Sequence, residues 1–127
     1  MILAIRTDSN QAEIYLVEPG GKVVKKQQWQ AGRELSKQIL AKINTIIAGN
    51  FVQIQAVVVY EGPGSFTSLR IGISVANALA YAKEIPIAST TGRNWLADGI
   101  KKLNTQKSGK YIVPRYGAEP NITKPKK

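Results

Sequence analysis

The stretch from Ala56 to Ala82 constrains the fold more than any other, because an unbroken β-branched run passes through a glycine turn directly into a long helix with little polar surface. Ala56-Val57-Val58-Val59-Tyr60 shows no polar alternation, so it reads as a strand covered on both faces. Gly62-Pro63-Gly64 ends that strand: proline lacks an N–H, and glycine reaches backbone angles that other residues avoid. Ser65 or Thr67 can cap the helix that follows. Gly62, Pro63, Gly64, Ser65 and Thr67 thus form a strand-to-helix turn that aims N–H groups and a positive dipole end at one spot, which is how phosphates are often held. The run matches neither the P-loop nor the dinucleotide pattern, and a tight turn with no ligand accounts for it equally well.

The helix after the turn raises a second question. Phe66, Leu69, Ile73, Ala76 and Ala80 fall on one face and can cover a sheet. Ile71, Val75, Ala78 and Ala82 make another apolar row, and the polar residues Arg70, Ser74, Asn77, Tyr81 and Glu84 are confined to a narrow strip. A helix apolar over most of its circumference needs more than one neighbour to bury it. The sheet is one; the second is expected to be another protein, unless the domain encloses the helix itself. Small residues such as Gly72, Ser74, Ala76 and Ala78 permit close approach of a partner helix.

The rest of the chain frames this unit. Met1–Thr7, Ala12–Val17 and Lys22–Gln30 read as three strands of an antiparallel meander, separated by Asp8-Ser9-Asn10 and by Glu18-Pro19-Gly20-Gly21. Residues 33–48 carry Leu35, Ile39, Ile43 and Ile46 at helical spacing, widened by Leu40 and Ile47, with Gly49-Asn50 as a stop. Glu84–Ala88 is expected as a short strand that Pro86 delays, and Gly92–Lys102 as a third helix. Lys110–Val113 is a candidate further strand. The resulting order predicts an α/β fold, a mixed five-stranded sheet with helices on both faces. That is the ribonuclease-H-like arrangement, also the half-unit of the actin-like ATPase fold.

Composition removes several function classes. With no cysteine and no histidine, neither disulfides, thiolate or imidazole metal sites nor a Ser-His-Asp triad can be built from these 127 residues. A protein of this length fits one domain with a real core. The start lacks the basic region and long apolar core of a signal peptide, so a soluble, cytoplasmic protein without membrane contact is expected. The formal net charge is +10, and residues 101–127 carry eight Lys/Arg against one acidic residue. Arg115, Lys124, Lys126 and Lys127 are therefore candidate contacts to RNA phosphates, by counterion release, or to a partner. A solvated tail that only aids solubility is the competing reading.

The strings LAIRTDS, GRELSKQIL and above all GPGSFTSLRIGISVANALAYA followed by IPIAS resemble the bacterial TsaB family, also called YeaZ, over residues 1–100. The resemblance implies a noncatalytic dimerisation or scaffold subunit supporting the TsaD catalytic partner. That complex makes N6-threonylcarbamoyladenosine at position 37 of tRNAs reading ANN codons. It also implies an actin-like fold, dimerisation through the first two helices, and assembly with a TsaD-type ATPase/transferase and a TsaE-type ATPase, tRNA being reached through the complex. Combined with the helix faces, it points to Leu35, Ile39, Ile71, Gly72, Val75 and Ala78 as the partner interface, either homodimeric or heterodimeric. No cofactor or metal of the chain's own is expected, and a nucleotide at a partner interface stays open. Residues 1–113 are expected as one actin-like domain and 114–127 as a basic irregular tail, without the family's usual second domain.

Two positions depart from related sequences. ATPases of this type usually carry Asp in the first strand-turn, as I-D-T, where this chain has Ile5-Arg6-Thr7. A cation there replaces the carboxylate that would order Mg²⁺ and water, which argues against phosphoryl chemistry. Ser68 stands where the family usually has Gly. Two other functions compete. One is a ribonuclease-H-like nuclease using Asp8 and Glu61, with Glu13 as the only other nearby carboxylate; the other is a free-standing basic RNA-binding domain.

Overall fold

The β-branched run does become the centre of the molecule, and its register explains why. In the computed structural model, which describes residues 1–105, the elements follow in order. They are β1 (Ile2–Arg6), β2 (Gln11–Val17), β3 (Val23–Gln30), α1 (Leu35–Ile46), β4 (Ala56–Tyr60), α2 (Phe66–Lys83), β5 (Ile87–Thr90) and α3 (Trp95–Asn104). They build one five-stranded sheet in the order β3-β2-β1-β4-β5. The β1–β2 and β2–β3 pairs are antiparallel; β1–β4 and β4–β5 are parallel. Flanked on both sides, β4 is buried at all five positions. Val57, Val58 and Val59 are at most 1% exposed, each contributing on the order of 1.5–3 kcal/mol of burial.

Alternation along β1 and β4 sends side chains to two separate cores. Leu3, Ile5, Val57 and Val59 pack with Leu35, Ile39 and Ile43 of α1 and with Ile73, Ala76 and Ala80 of α2. Ile2, Ala4, Ala56, Val58 and Tyr60 pack with Trp95 and Ile100 of α3. Helices therefore cover both faces, α1 and α2 on one and α3 on the other, the mixed α/β arrangement the sequence predicts.

Three boundaries differ from the sequence expectation. Helix α1 starts only at Leu35, after a 3-10 turn at Gly32–Glu34, and stops at Ile46; Ala48 then takes the left-handed conformation at φ +53°. The strand expected at Glu84–Ala88 is shifted to Ile87–Thr90. Glu84 instead closes α2 in the left-handed conformation, and the Ile85 N–H donates to the Ala80 carbonyl at 3.0 Å. Pro86 cannot donate, but its carbonyl accepts the Val57 N–H at 3.0 Å, so strand pairing starts there. Helix α3 accordingly begins at Trp95 rather than Gly92, because Thr90 still belongs to the sheet. The candidate strand Lys110–Val113, the domain limit at residue 113 and the tail residues Arg115, Lys124, Lys126 and Lys127 lie outside the described residues. No helix among the described residues is long and apolar enough to cross a membrane.

Candidate functional site

Parallel pairing of β1 with β4 brings the ends of both strands to the glycine turn, since Ile5 lies opposite Val59 and the next residues run on together. Beyond Arg6 the chain crosses directly over that turn. The Ser65 N–H donates to the Asp8 carbonyl at 2.9 Å, and the Thr7 hydroxyl donates to the Ser68 carbonyl at 2.7 Å. A Cβ on Gly64 would stand 2.7 Å from the Asp8 carbonyl oxygen and 2.9 Å from its Cα, so only glycine fits beneath this crossing. Ser65 occupies the N-cap position of α2, yet its side chain makes no capping bond. Thr67 and Pro63 are exposed, while Gly62 is buried and its carbonyl accepts the Thr91 hydroxyl. One N–H of the helix start is thus already taken by Asp8, and the backbone of Asp8 fills the approach to Gly64. The turn serves as a seat for the end of β1.

Arg6 and Asp8 are joined by two charge-assisted hydrogen bonds, Nε to Oδ1 at 2.8 Å and Nη2 to Oδ2 at 3.1 Å. The hydrogen bond to Asp8 raises the Arg6 pKa above its ordinary value, against the opposing effect of burial. Its guanidinium carbon lies 4.1 Å from the Tyr60 ring centre and 6.0 Å from that of Trp95. Tyr60 meets Trp95 edge-to-face at 6.1 Å, and Tyr15 meets Trp95 at 6.0 Å. Arg6 therefore seals the end of the α3-side core, with its charge answered by Asp8. Glu61 accepts the Ser89 hydroxyl at 2.6 Å. Among the described residues no three of Asp, Glu, His or Cys converge as a metal-holding group.

Thr7 and the Tyr15–Tyr60–Trp95 cluster are the residues that sequence reasoning missed. Their contacts join positions too distant in the chain for any period to reveal them. Tyr15 also carries a pH signature: burial first, then its 2.6 Å hydrogen bond to Glu13, raises its pKa above the ordinary 10.0. Folding favours the neutral phenol, so its stabilising contribution is complete below the ordinary value and disappears as pH rises through the raised folded value. Tyr15→Phe should therefore lose less stability than the wild type between about pH 10 and higher values. Parallel urea-unfolding curves across that range would show that Tyr15 does not carry the linkage.

The second candidate surface is the helix pair. Of the six residues expected at a partner interface, Leu35 and Ile39 are each 1% exposed and Gly72 is buried. Leu35 and Ile39 pack into the sheet-side core, and Gly72 lies against Thr7 rather than against a partner helix. Their surface is consumed within the domain, which corrects the expectation for these three. Ile71 and Val75 are half-buried and Ala78 is exposed, so those three remain at the surface. Phe66, expected to cover the sheet, is instead 54% exposed; Leu40 of α1 at 56% and Tyr81 near the far end of α2 at 85% are exposed as well.

A family model described as TsaD, tRNA N6-adenosine threonylcarbamoyltransferase, matches residues 15–116. Two similar proteins, both named tRNA threonylcarbamoyladenosine biosynthesis protein TsaB, come from Haemophilus influenzae (28% identical) and Escherichia coli (31%). Each alignment covers 81% of this chain but only 44% and 45% of those proteins, so the chain spans less than half their length. YeaZ from Pseudomonas aeruginosa superposes with a TM-score of 0.66 at 22% identity, over 84% of this chain and 49% of that one. RuvC from Thermus thermophilus shares the ribonuclease-H-like fold at a TM-score of 0.50 and 10% identity, over 84% of this chain and 97% of its own. With its strand order, its glycine-turn helix and these relatives in agreement, the chain belongs to the TsaB/YeaZ branch of that family.

Proposed function

We propose that this chain is a noncatalytic scaffold subunit, cytoplasmic, for making N6-threonylcarbamoyladenosine at position 37 of tRNAs reading ANN codons. Its direct partner is a TsaD-type catalytic protein, bound across the exposed part of α2; a TsaE-type ATPase and tRNA join through the complex. The observation that carries this reading is Arg6. It stands where a phosphoryl-transfer enzyme of this fold needs a carboxylate, and it also engages the nearby carboxylate of Asp8. A guanidinium in two hydrogen bonds to a carboxylate and stacked on Tyr60 is a packing element, not a metal ligand.

The nuclease reading asks Asp8 and Glu61 to converge with at least one further carboxylate on metal ions. Asp8 is neutralised by Arg6, and Glu61 already accepts the Ser89 hydroxyl. The geometry favours the scaffold.

Reconstitution tests both. The isolated chain should show no ATPase, kinase or nuclease turnover, whereas adding it to the TsaD-type and TsaE-type proteins should raise threonylcarbamoyladenosine formation in tRNA at least tenfold, read by nucleoside mass spectrometry. Magnesium-dependent turnover by the chain alone that vanishes in Asp8→Ala or Glu61→Gln would replace the scaffold reading with an enzymatic one. Equal modification with and without the chain would remove it from the reaction.

A further inference from the structure

The charge of the described domain is not spread over its surface. Residues 19–60 carry six cations, Lys22, Lys25, Lys26, Arg33, Lys37 and Lys42, against one acidic residue, Glu34, whereas the remainder of residues 1–105 carries six against six. Most of the net charge of this domain thus belongs to β3, α1 and the turns flanking them, even with Glu18 of the β2–β3 turn counted. The fold gathers these segments along one side of the molecule, because β3 is the outer strand of the sheet and α1 packs against it. Trp29 fixes that junction: its indole N–H donates to Gln38 of α1 at 3.0 Å, and the Lys42 ammonium lies 5.3 Å from its ring centre. Among the described residues, Lys22, Lys25, Lys26 and Arg33 form no ion pair, and Lys37 meets Glu34 only at 3.8 Å on an exposed surface, where such a pair is worth little.

We propose that the β3–α1 edge is a binding surface for the phosphate backbone of RNA. Lys25 and Lys26, successive in β3, project to opposite faces and so flank the exposed outer edge, while Lys22 and Arg33 stand beyond its two ends and Lys42 lies over Trp29. The cations are spread along an edge of roughly 26 Å rather than gathered in a pocket, which suits an extended polyanion. Beyond Lys26 on the same strand stand Gln27 and Gln30, whose neutral amides can donate to phosphate or sugar oxygens without adding specificity. Lysine is depleted from protein–protein interfaces, where its strongly hydrated ammonium is costly to bury, which favours a nucleic acid over an acidic protein here. The lysines at issue lie on β3 and α1 and leave the exposed residues of α2 unchanged when replaced, so this inference and the scaffold reading are tested by different variants.

The test is binding of a fluorescein-labelled tRNA transcript by the full chain, followed by anisotropy across a salt series. Lys25→Gln/Lys26→Gln/Lys42→Gln should weaken binding at least tenfold at low salt and flatten the log–log salt slope by about 2 to 3. Lys83→Gln/Arg93→Gln/Lys101→Gln, which removes the same charge elsewhere, should change affinity by less than about threefold. Equal losses in the two triple variants would mean that net charge alone attracts RNA, and the edge would be no site. Unchanged RNA binding in the first variant, with new aggregation, would mean that the lysines only guard an exposed strand edge, and that also overturns the proposal. Labelled polyglutamate bound more tightly than tRNA, and lost in the first variant, would assign the edge to an acidic protein instead. Circular dichroism of each variant separates binding loss from unfolding.

Discussion

Replacing Gly72 with valine is expected to destabilise the domain by about 3 kcal/mol, a large fraction of the roughly 5–15 kcal/mol that holds a domain of this size. Gly72 lies in the second turn of α2, where helix propensity alone would favour alanine by about 1 kcal/mol. The structure reverses that preference, because any Cβ at this position would overlap the side chain of Thr7, itself 1% exposed. Thr7 cannot simply turn away, since its hydroxyl donates to the Ser68 carbonyl at 2.7 Å and holds the end of β1 to the first turn of α2. Gly72→Ala should fall between wild type and the valine variant. Thr7→Ala on its own loses that hydrogen bond, at about 1 kcal/mol, but it also opens the space a Cβ needs. The double variant Thr7→Ala/Gly72→Ala should therefore be more stable than the two single losses added together, by about 1 kcal/mol or more in urea unfolding. Strict additivity would place the two side chains apart and remove this account of Gly72.

The same contact shows what the sequence made legible and what it did not. The β-branched run at 56–60 and the glycine turn identified β4, α2 and the layered α/β fold, because strand, breaker and helix all carry local signals. Gly72 was visible as a small residue at close quarters, but not the identity of its neighbour. Helical spacing reports which residues share a face without saying what that face meets. Leu35 and Ile39 share a stripe that turns out to cover the sheet, leaving no surface for a partner. The shift of β5 has a different cause: Glu84 takes a left-handed cap that no residue type there announces, and this delays the strand past Pro86. Arg6 was read through what it lacks, a carboxylate. Its role as the cap on Tyr60 and Trp95 depends on contacts between residues 6, 60 and 95, which only the folded chain brings together.

Ala78→Glu is expected to leave the isolated domain folded while weakening its association with the TsaD-type partner by about 100-fold or more. Ala78 is exposed on α2, so a carboxylate there is hydrated in the free protein, and folding stability should change by less than about 0.5 kcal/mol. In the proposed assembly the same position would sit in a close helix contact flanked by the half-buried Ile71 and Val75. An unpaired charge taken from water into such a contact costs several kcal/mol, and about 2.7 kcal/mol already corresponds to 100-fold. Tyr81, 85% exposed one turn further along, should act in the same direction when truncated to alanine, because large aromatic side chains dominate interface energetics. Leu35→Ala provides the contrast: its loss falls on folding, by about 2–5 kcal/mol, because the side chain is already spent in the core. Light scattering of the free protein and titration of the partner separate these outcomes. A folded Ala78→Glu variant that still binds as tightly as wild type would move the partner off α2 altogether, and the large side chains left at its surface, Phe66 and Tyr81, would then need another explanation.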